Sequence, residues 1–313
     1  MQPVLPAGSR PVDFIAVGEN SLDLFCVLRE FPRPDEKVRA EQVIELSGGQ
    51  AATAAVACAR LGWRSRYVGA FGADRAAAVI RQSLSREHVD VRAIVKDAAS
   101  TRSAVIVVEQ SSGRRTVIES RDPALTVAEH EIGAEVLSSA RVMLVDGSDP
   151  ALSLRALRIA RDTGCRTLLD VDVVTDDALE LARNVDVAIV PHEFAREATG
   201  EAERGTALEA LGRNLGAAVV VSTAAADGAL AWTPAGELRV EARRTDVVDT
   251  TGAGDAFRAG FAAAWLSSAG EPPDLFQILT FAVEVAAWNC RTLGAQAGLP
   301  TPADLQFWSF NRP

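Results

Sequence analysis

Residues 246–257 read Asp-Val-Val-Asp-Thr-Thr-Gly-Ala-Gly-Asp-Ala-Phe. A β-like segment precedes this stretch, and residues 256–268 form an apolar-periodic helix behind it. Gly252, Ala253 and Gly254 therefore fall at a helix N-terminus, where amide groups lack intrahelical acceptors. Small residues let an anion approach that backbone closely. The helix dipole adds positive potential at the same place. Asp255 follows in the first helical turn, where it is expected to stay ionised. It can then accept the proton of a hydroxyl attacking a bound phosphate. Taken alone, Gly-Ala-Gly-Asp also fits a plain glycine-rich turn with an acidic helix start.

Outward from this stretch the rhythm is βα. Residues 13–18 form a short apolar strand ending in glycine, and 51–61 an alanine-rich helix closed by Gly62. Strands are predicted at 67–70, 142–145, 167–170, 187–190, 218–221 and 230–232, and helices at 151–163 and 205–215. Thr126 and Glu129 are spaced as a capping box opening a helix toward Ser139. Repeated βα units imply a three-layer, mostly parallel sheet with helices on both faces. Ligands of such sheets bind at the carboxyl ends of the strands. Two stretches break the rhythm. Residues 22–30 and 38–46 alternate around a Pro-rich turn, and 101–109 and 115–121 alternate around the turn signal 110–113. They predict a small antiparallel β lid built from two places in the chain. The expected division is a flexible tail at 1–12, an α/β body at 13–18, 47–100 and 122–313, and a lid at 19–46 and 101–121.

Composition removes several mechanisms. Of 32 basic residues only Lys37 and Lys96 are lysine, and neither stands in a Gly-Lys-Ser/Thr context. A Schiff-base enzyme and a Walker-type loop are thereby excluded. Any phosphate must be held by backbone amides, arginine or metal. The net charge of −10 argues against nucleic acid and anionic membranes as partners. Cys26, Cys58, Cys165 and Cys290 are far apart and read as reduced, structural thiols of a cytoplasmic protein. The start has no apolar core of a signal peptide, and no apolar run reaches transmembrane length. Three scattered histidines give no zinc site. Gly18-Glu-Asn-Ser after the first strand lacks the dinucleotide fingerprint, so a nicotinamide dehydrogenase is excluded.

The string from Val248 to Phe257 resembles the C-terminal signature of the ribokinase-like (PfkB) family of carbohydrate and nucleoside kinases. Leu46-Ser-Gly-Gly-Gln-Ala-Ala-Thr with the helix that follows, then Tyr67 to Asp74, looks like the family's N-terminal signature. Arg291-Thr-Leu-Gly-Ala-Gln296 resembles the ending that follows its nucleotide-pocket helix, and Gly18 to Asp23 its opening strand. The resemblance runs from about residue 13 to 300. It implies an ATP-dependent kinase that transfers the γ-phosphate to a hydroxyl of a small sugar, a ketose, pentose or derivative. Asp255 would be the base, and Gly252, Ala253 and Gly254 the anion hole. Asp23, Gly48, Gly49, Gln50, Thr53, Arg121 and Asp146 would line the sugar. Thr223, Gly228, Thr251 and Asn289 would meet the nucleotide. Asp249, Thr251, Asn289, Thr292, Gly294 and Gly298 match where the family places a monovalent cation, potassium; many members lack it. Magnesium is the expected divalent ion. In many relatives two lids clasp, which implies a homodimer through the lid.

Three departures stand out. Thr53 replaces an asparagine that touches sugar in ribokinases. The Asn-x-x-Glu motif is replaced by Pro191-His-Glu-Phe-Ala-Arg-Glu197, with Glu193 preferred over Glu197 as the residue ordering magnesium through water. Ala225 stands in the Thr223–Gly228 loop where glycine is common. The strings around Ala51, Asp249 and Leu169-Asp-Val-Asp172 are similar to the sulfofructose-kinase and ketohexokinase-like branches. The alternatives are a nucleoside kinase of the same fold, and a non-catalytic sugar- or nucleotide-binding relative.

Overall fold

The computed structural model describes residues 1–111 and 114–305. Ser112 and Gly113 of the turn expected at 110–113 lie outside the described residues. In chain order the elements are β1 (Phe14–Val17), β2 (Ser21–Leu28), β3 (Gln42–Gly48), α1 (Gln50–Arg60), β4 (Ser65–Gly72), α2 (Arg75–Arg86) and β5 (Asp90–Lys96). Then follow β6 (Ser103–Glu109), β7 (Arg115–Ser120), α3 (Ala134–Leu137), β8 (Val142–Val145), α4 (Pro150–Thr163), β9 (Arg166–Asp170) and α5 (Asp176–Arg183). The chain continues with β10 (Val187–Pro191), α6 (His192–Thr199), α7 (Arg204–Leu215), β11 (Val219–Thr223), β12 (Ala229–Thr233), β13 (Gly236–Val240), α8 (Ala253–Ser267) and α9 (Leu275–Asn289).

The large sheet has the order β13-β12-β11-β10-β9-β8-β1-β4-β5. It is parallel from β11 to β5, and β12 and β13 add an antiparallel edge. Successive strand residues face opposite sides, and the burial follows that rule. Phe14 and Ala16 pack into one core with α1, α2, α8 and α9. Ile15 and Val17 pack into the other with α3, α4, α5, α6 and α7. This is the ribokinase-like architecture. The lid sheet has the order β3-β2-β6-β7. Its two pairs are each antiparallel, and they join along β2 and β6, which run parallel.

Two expectations need correction. The capping box at Thr126 opens no helix; α3 begins only at Ala134, behind Gly133. Glu131 rather than Glu129 turns inward, accepting from Ala128 N at 2.8 Å while pairing with Lys96. The stretch expected to be a flexible tail is docked on the body. Val4 is buried. Arg141 Nε donates to Leu5 O at 2.8 Å, Arg166 Nε to Pro3 O at 2.9 Å, and Trp265 Nε1 to Gln2 O at 3.1 Å. Arginine and tryptophan donors from the body capture main-chain carbonyls that composition could not pair.

Candidate active site

The four passages between body and lid converge at the carboxyl ends of the parallel strands, where such sheets bind ligands. Gly18 leaves β1 beneath Asp146, the residue after β8. A Cβ at Gly18 would lie 2.0 Å from Asp146 Oδ2, so only glycine fits. Asp146 holds this crossing: Oδ2 accepts from Glu19 N at 2.7 Å and Oδ1 from Ser148 N at 2.9 Å. Burial raises its pKa. On the lid side, Asp23 is buried, and burial raises its pKa against the hydrogen bond from Ser21. Its Oδ2 accepts from Ser21 Oγ at 3.0 Å, while Oδ1 is buried with no protein partner. Gly48 backs directly onto this carboxylate; a Cβ there would lie 2.4 Å from Oδ2. Gly49, at φ +91°, lies against Asn20 in the same way.

Asn20 was not singled out by sequence reading. Its Nδ2 donates to Tyr67 Oη at 2.6 Å and Ala70 O at 2.7 Å, leaving Oδ1 buried and unpartnered. Asn20 and Asp23 thus present two orphaned acceptors beside the Gly48-Gly49 passage. Buried acceptors of this kind require donors from a ligand or water. Charges link the same passages. Arg102 Nε lies 3.1 Å from Glu19 Oε2, and its Nη2 lies 2.5 Å from Glu119 Oε2. Burial and the charge of Asp146 push the Glu19 carboxyl up to about 8. Arg121 Nη2 is held by Asp149 Oδ1 at 3.2 Å and Leu125 O at 3.3 Å. Thr53 is fully buried inside α1, 3.4 Å from Gln296 Nε2. Gln50 Nε2 donates to Asp170 Oδ1 at 3.0 Å.

The glycine turn caps α8. Gly252 has φ +77°, and a Cβ there would lie 2.7 Å from Ala295 Cα, so glycine is required twice over. Ala253 N donates back to Thr250 O at 3.2 Å. Helix geometry leaves Gly254 and Asp255 amides without intrahelical acceptors. Asp255 is the acidic residue of the first turn. Burial pushes its pKa up to about 6, against Arg258 and Arg115, whose charges lower it; Asp172 and Asp146 add to the rise. Arg115 comes from the lid, and its Nη1 donates to Thr250 Oγ1 at 2.6 Å.

Behind the turn, Asp249 is fully buried. Its Oδ1 accepts from Thr251 N at 2.9 Å and Thr251 Oγ1 at 2.8 Å, and its Oδ2 from Gly294 N at 2.8 Å. Asn289 Nδ2 donates to Thr251 O at 3.1 Å, and its Oδ1 is buried without a partner. Gly298 packs against Asn289 O. The residues matched to a monovalent cation therefore share one neighbourhood.

Two of the residues expected to meet the nucleotide flank the loop after β11. Thr223 ends β11, and Gly228 (φ +70°) backs onto Val240 O and Ala242 N. Ala225 between them takes φ +41°, a left-handed conformation that glycine would adopt without strain. Arg204, missed in the sequence, donates to Ser222 O at 2.6 Å and Gly228 O at 3.2 Å. A cleft of about 380 Å³ follows on the loop after β13, lined by Arg243, Arg244, Asp246, Glu284, Trp288 and Arg291 among others. Glu193 is exposed on α6, with Oε2 2.9 Å from His192 Nδ1, and Glu197 is also exposed. Among the described residues no three His, Cys, Asp or Glu side chains group to hold a metal ion. Among them no helix is long and apolar enough to cross a membrane.

The chain is 28% identical over 294 residues to a nucleoside kinase of Methanothermobacter thermautotrophicus, covering 92% of both chains. It is 31% identical over 283 residues to an aminoimidazole riboside kinase of Salmonella typhimurium, covering 84% of this chain and 87% of the relative. Its fold matches an Arabidopsis thaliana ribokinase, solved with ribose and ATP, at TM-score 0.79 and 23% identity, over 95% and 98% of the chains. It also matches an adenosine kinase from Sinorhizobium meliloti at TM-score 0.82 and 21% identity, over 95% and 99%. The pattern of the pfkB family carbohydrate kinases matches residues 13–302, so with its glycine-capped helix and β lid the chain belongs to that family of kinases.

Proposed function

We propose that this kinase moves the γ-phosphate of ATP to a hydroxyl of a small sugar, with Asp255 as general base. The observation that carries this is Asp255 in the first turn of α8, behind the Gly252 turn. A carboxylate pushed up to about 6 is ionised at neutral pH, yet basic enough to take a hydroxyl proton. The amides of Gly254 and Asp255 meet the charge that develops on the transferring phosphoryl group. Asp23 Oδ1 and Asn20 Oδ1 accept from the sugar's other hydroxyls. The nucleotide lies along Thr223, Gly228, Thr251 and Asn289. Magnesium bound with ATP supplies charge neutralisation, and Glu193 would order it through water. The Asp249 carboxylate, the Thr251 carbonyl and the orphaned Asn289 Oδ1 are hard oxygen ligands of the kind that suit potassium. On one face of the lid sheet Val43, Val105 and Ile118 are exposed, an apolar patch suited to a homodimer. Arg121, tied to Asp149, shapes the lid passage rather than seizing a substrate anion.

The nucleoside reading is kept because relatives at 28% and 31% identity bear nucleoside-kinase and riboside-kinase names. One measurement separates the two: ADP release with ATP and magnesium across neutral sugars, sugar phosphates and nucleosides. Turnover on neutral ketoses or pentoses is expected. Turnover on nucleosides alone would overturn the sugar assignment.

A further inference from the structure

Arg258 carries a buried charge that the transfer reaction leaves unexplained. Its side chain is 5% exposed, and Asp170, its partner, is fully buried. Nε lies 2.9 Å from Asp170 Oδ1, and Nη2 donates to Ile189 O at 3.0 Å. Asp170 Oδ1 also accepts from Gln50 Nε2, at the start of α1. A Cβ at Gly254 would lie 2.6 Å from Arg258 Nη1. Gly254 is therefore small on its inner side to admit a guanidinium, besides being small toward a phosphate. Burying such a pair costs desolvation that its attraction often fails to repay, so it is poor evidence for a stability role. Its placement suits another role.

We propose that Arg258 is a positioning residue for phosphoryl transfer: clamped between Asp170 and Ile189 O beneath Gly254, it locks the first turn of α8 onto β9 and β10. The clamp sets Asp255 and the Gly254 amide against the passage that carries Gly48, Gly49 and Gln50. A guanidinium does this where an ammonium would not, because its Nη2 bonds Ile189 O while the Nε side lies in ion-pair contact with the Asp170 carboxylate. The proposal rests on Asp255 being the base. Charges facing Asp255 come from every side: Arg258 on its own helix, Arg115 on β7, Asp170 and Asp172 at the end of β9, and Asp146 after β8. Arg258 is the largest of those that lower its pKa.

The test uses R258K, R258M and the double variant R258M/D170N, which removes both buried charges and so leaves neither unpaired. In R258M/D170N, kcat is expected to fall at least about tenfold, with KM for the sugar changed less than about threefold. In R258M alone, which keeps Asp170, the acid limb of the pH profile should move up by at least half a pH unit. R258K should keep the limb within a quarter of a unit of wild type, with kcat between the two. A folded R258M/D170N with wild-type kcat would overturn the proposal. So would R258K behaving in both respects like R258M. Carboxyl ¹³C titration of Asp255 in the ligand-free protein reads the same limb without turnover. If wild type phosphorylates nothing in the panel, the kinase reading fails on its own. An unmoved Asp255 midpoint in R258M would then sink the Arg258 proposal separately.

Discussion

Arg115, on the last lid strand, donates a 2.6 Å hydrogen bond to Thr250 Oγ1, two residues before the glycine that caps α8. The lid thus touches the turn that opens α8 through a cation, and that cation lowers the pKa of Asp255. R115Q removes the charge and keeps a donor. It is expected to cut kcat/KM about tenfold, the scale of one charge-assisted hydrogen bond. Steady-state kinetics with the preferred substrate reads this directly.

D255N is expected to lower kcat at least about 100-fold, the general-base scale, with substrate binding nearly unchanged. Calorimetric titration of the sugar, alongside kcat, separates the two effects. Because the base must be unprotonated, wild-type turnover should fall tenfold per pH unit below about 6. The linkage runs the other way for stability. A carboxyl raised from 3.8 to about 6 binds its proton better folded than unfolded, so stability declines as pH rises through that window. D255N removes this penalty and is expected to raise Tm at pH 7 by about 2–4 °C.

Asp13 lies under two arginines, with Arg141 Nη1 at 3.0 Å and Arg64 Nε at 2.9 Å. Burial would raise its pKa, but the hydrogen bonds from Arg64 and Arg141 outweigh burial and hold it below 3.8. Its contribution is therefore present above the unfolded value and is lost as pH falls through the folded one. R141M removes one of the two arginines and leaves the carboxylate paired with Arg64, so it should cost about 1–3 kcal/mol in urea unfolding at pH 7.

Ala225 pays for a left-handed backbone at φ +41°. A225G relieves roughly 1–2 kcal/mol of strain and gives back part of it as chain entropy. The net gain expected is about 0.5–1 kcal/mol by chemical denaturation. Unchanged or lower stability would show that the loop is held by other contacts.

Potassium should accelerate turnover relative to tetramethylammonium, and D249N should abolish the difference. Asp249 is fully buried beside Thr251, whose carbonyl Asn289 binds, and Asn289 Oδ1 is unpartnered. Equal rates in the two salts would remove the cation from the reaction.

The parts legible in the sequence were those with local signatures. The Gly252 turn, the place of Asp255 in the first turn of α8 and the βα order depend on neighbours within a few residues. So does Ala225, whose misfit with its loop returns as a positive φ. Other features needed the fold. Arg258 reads as one more polar position on an apolar helix, and only Asp170, Ile189 and Gly254 together show what it does. Asn20 gains meaning from Tyr67 and Ala70. Thr126 and Glu129 misled because a local capping pattern lost to Glu131 pairing with Lys96. The anchored N-terminus was hidden for a similar reason: its partners are body residues such as Arg141, Arg166 and Trp265.

The parallel junction of β2 and β6 has a consequence for how the chain folds. Each lid pair is short and mostly one-sided, and a two-stranded ribbon is marginal alone. Joining them requires segments from before α1 and after β5, brought together in parallel, and such non-local pairings form slowly. The body must therefore set both passages before the lid sheet can close. Asp23 sits on β2 at that seam, so its surroundings are complete only once the two lid pairs have joined.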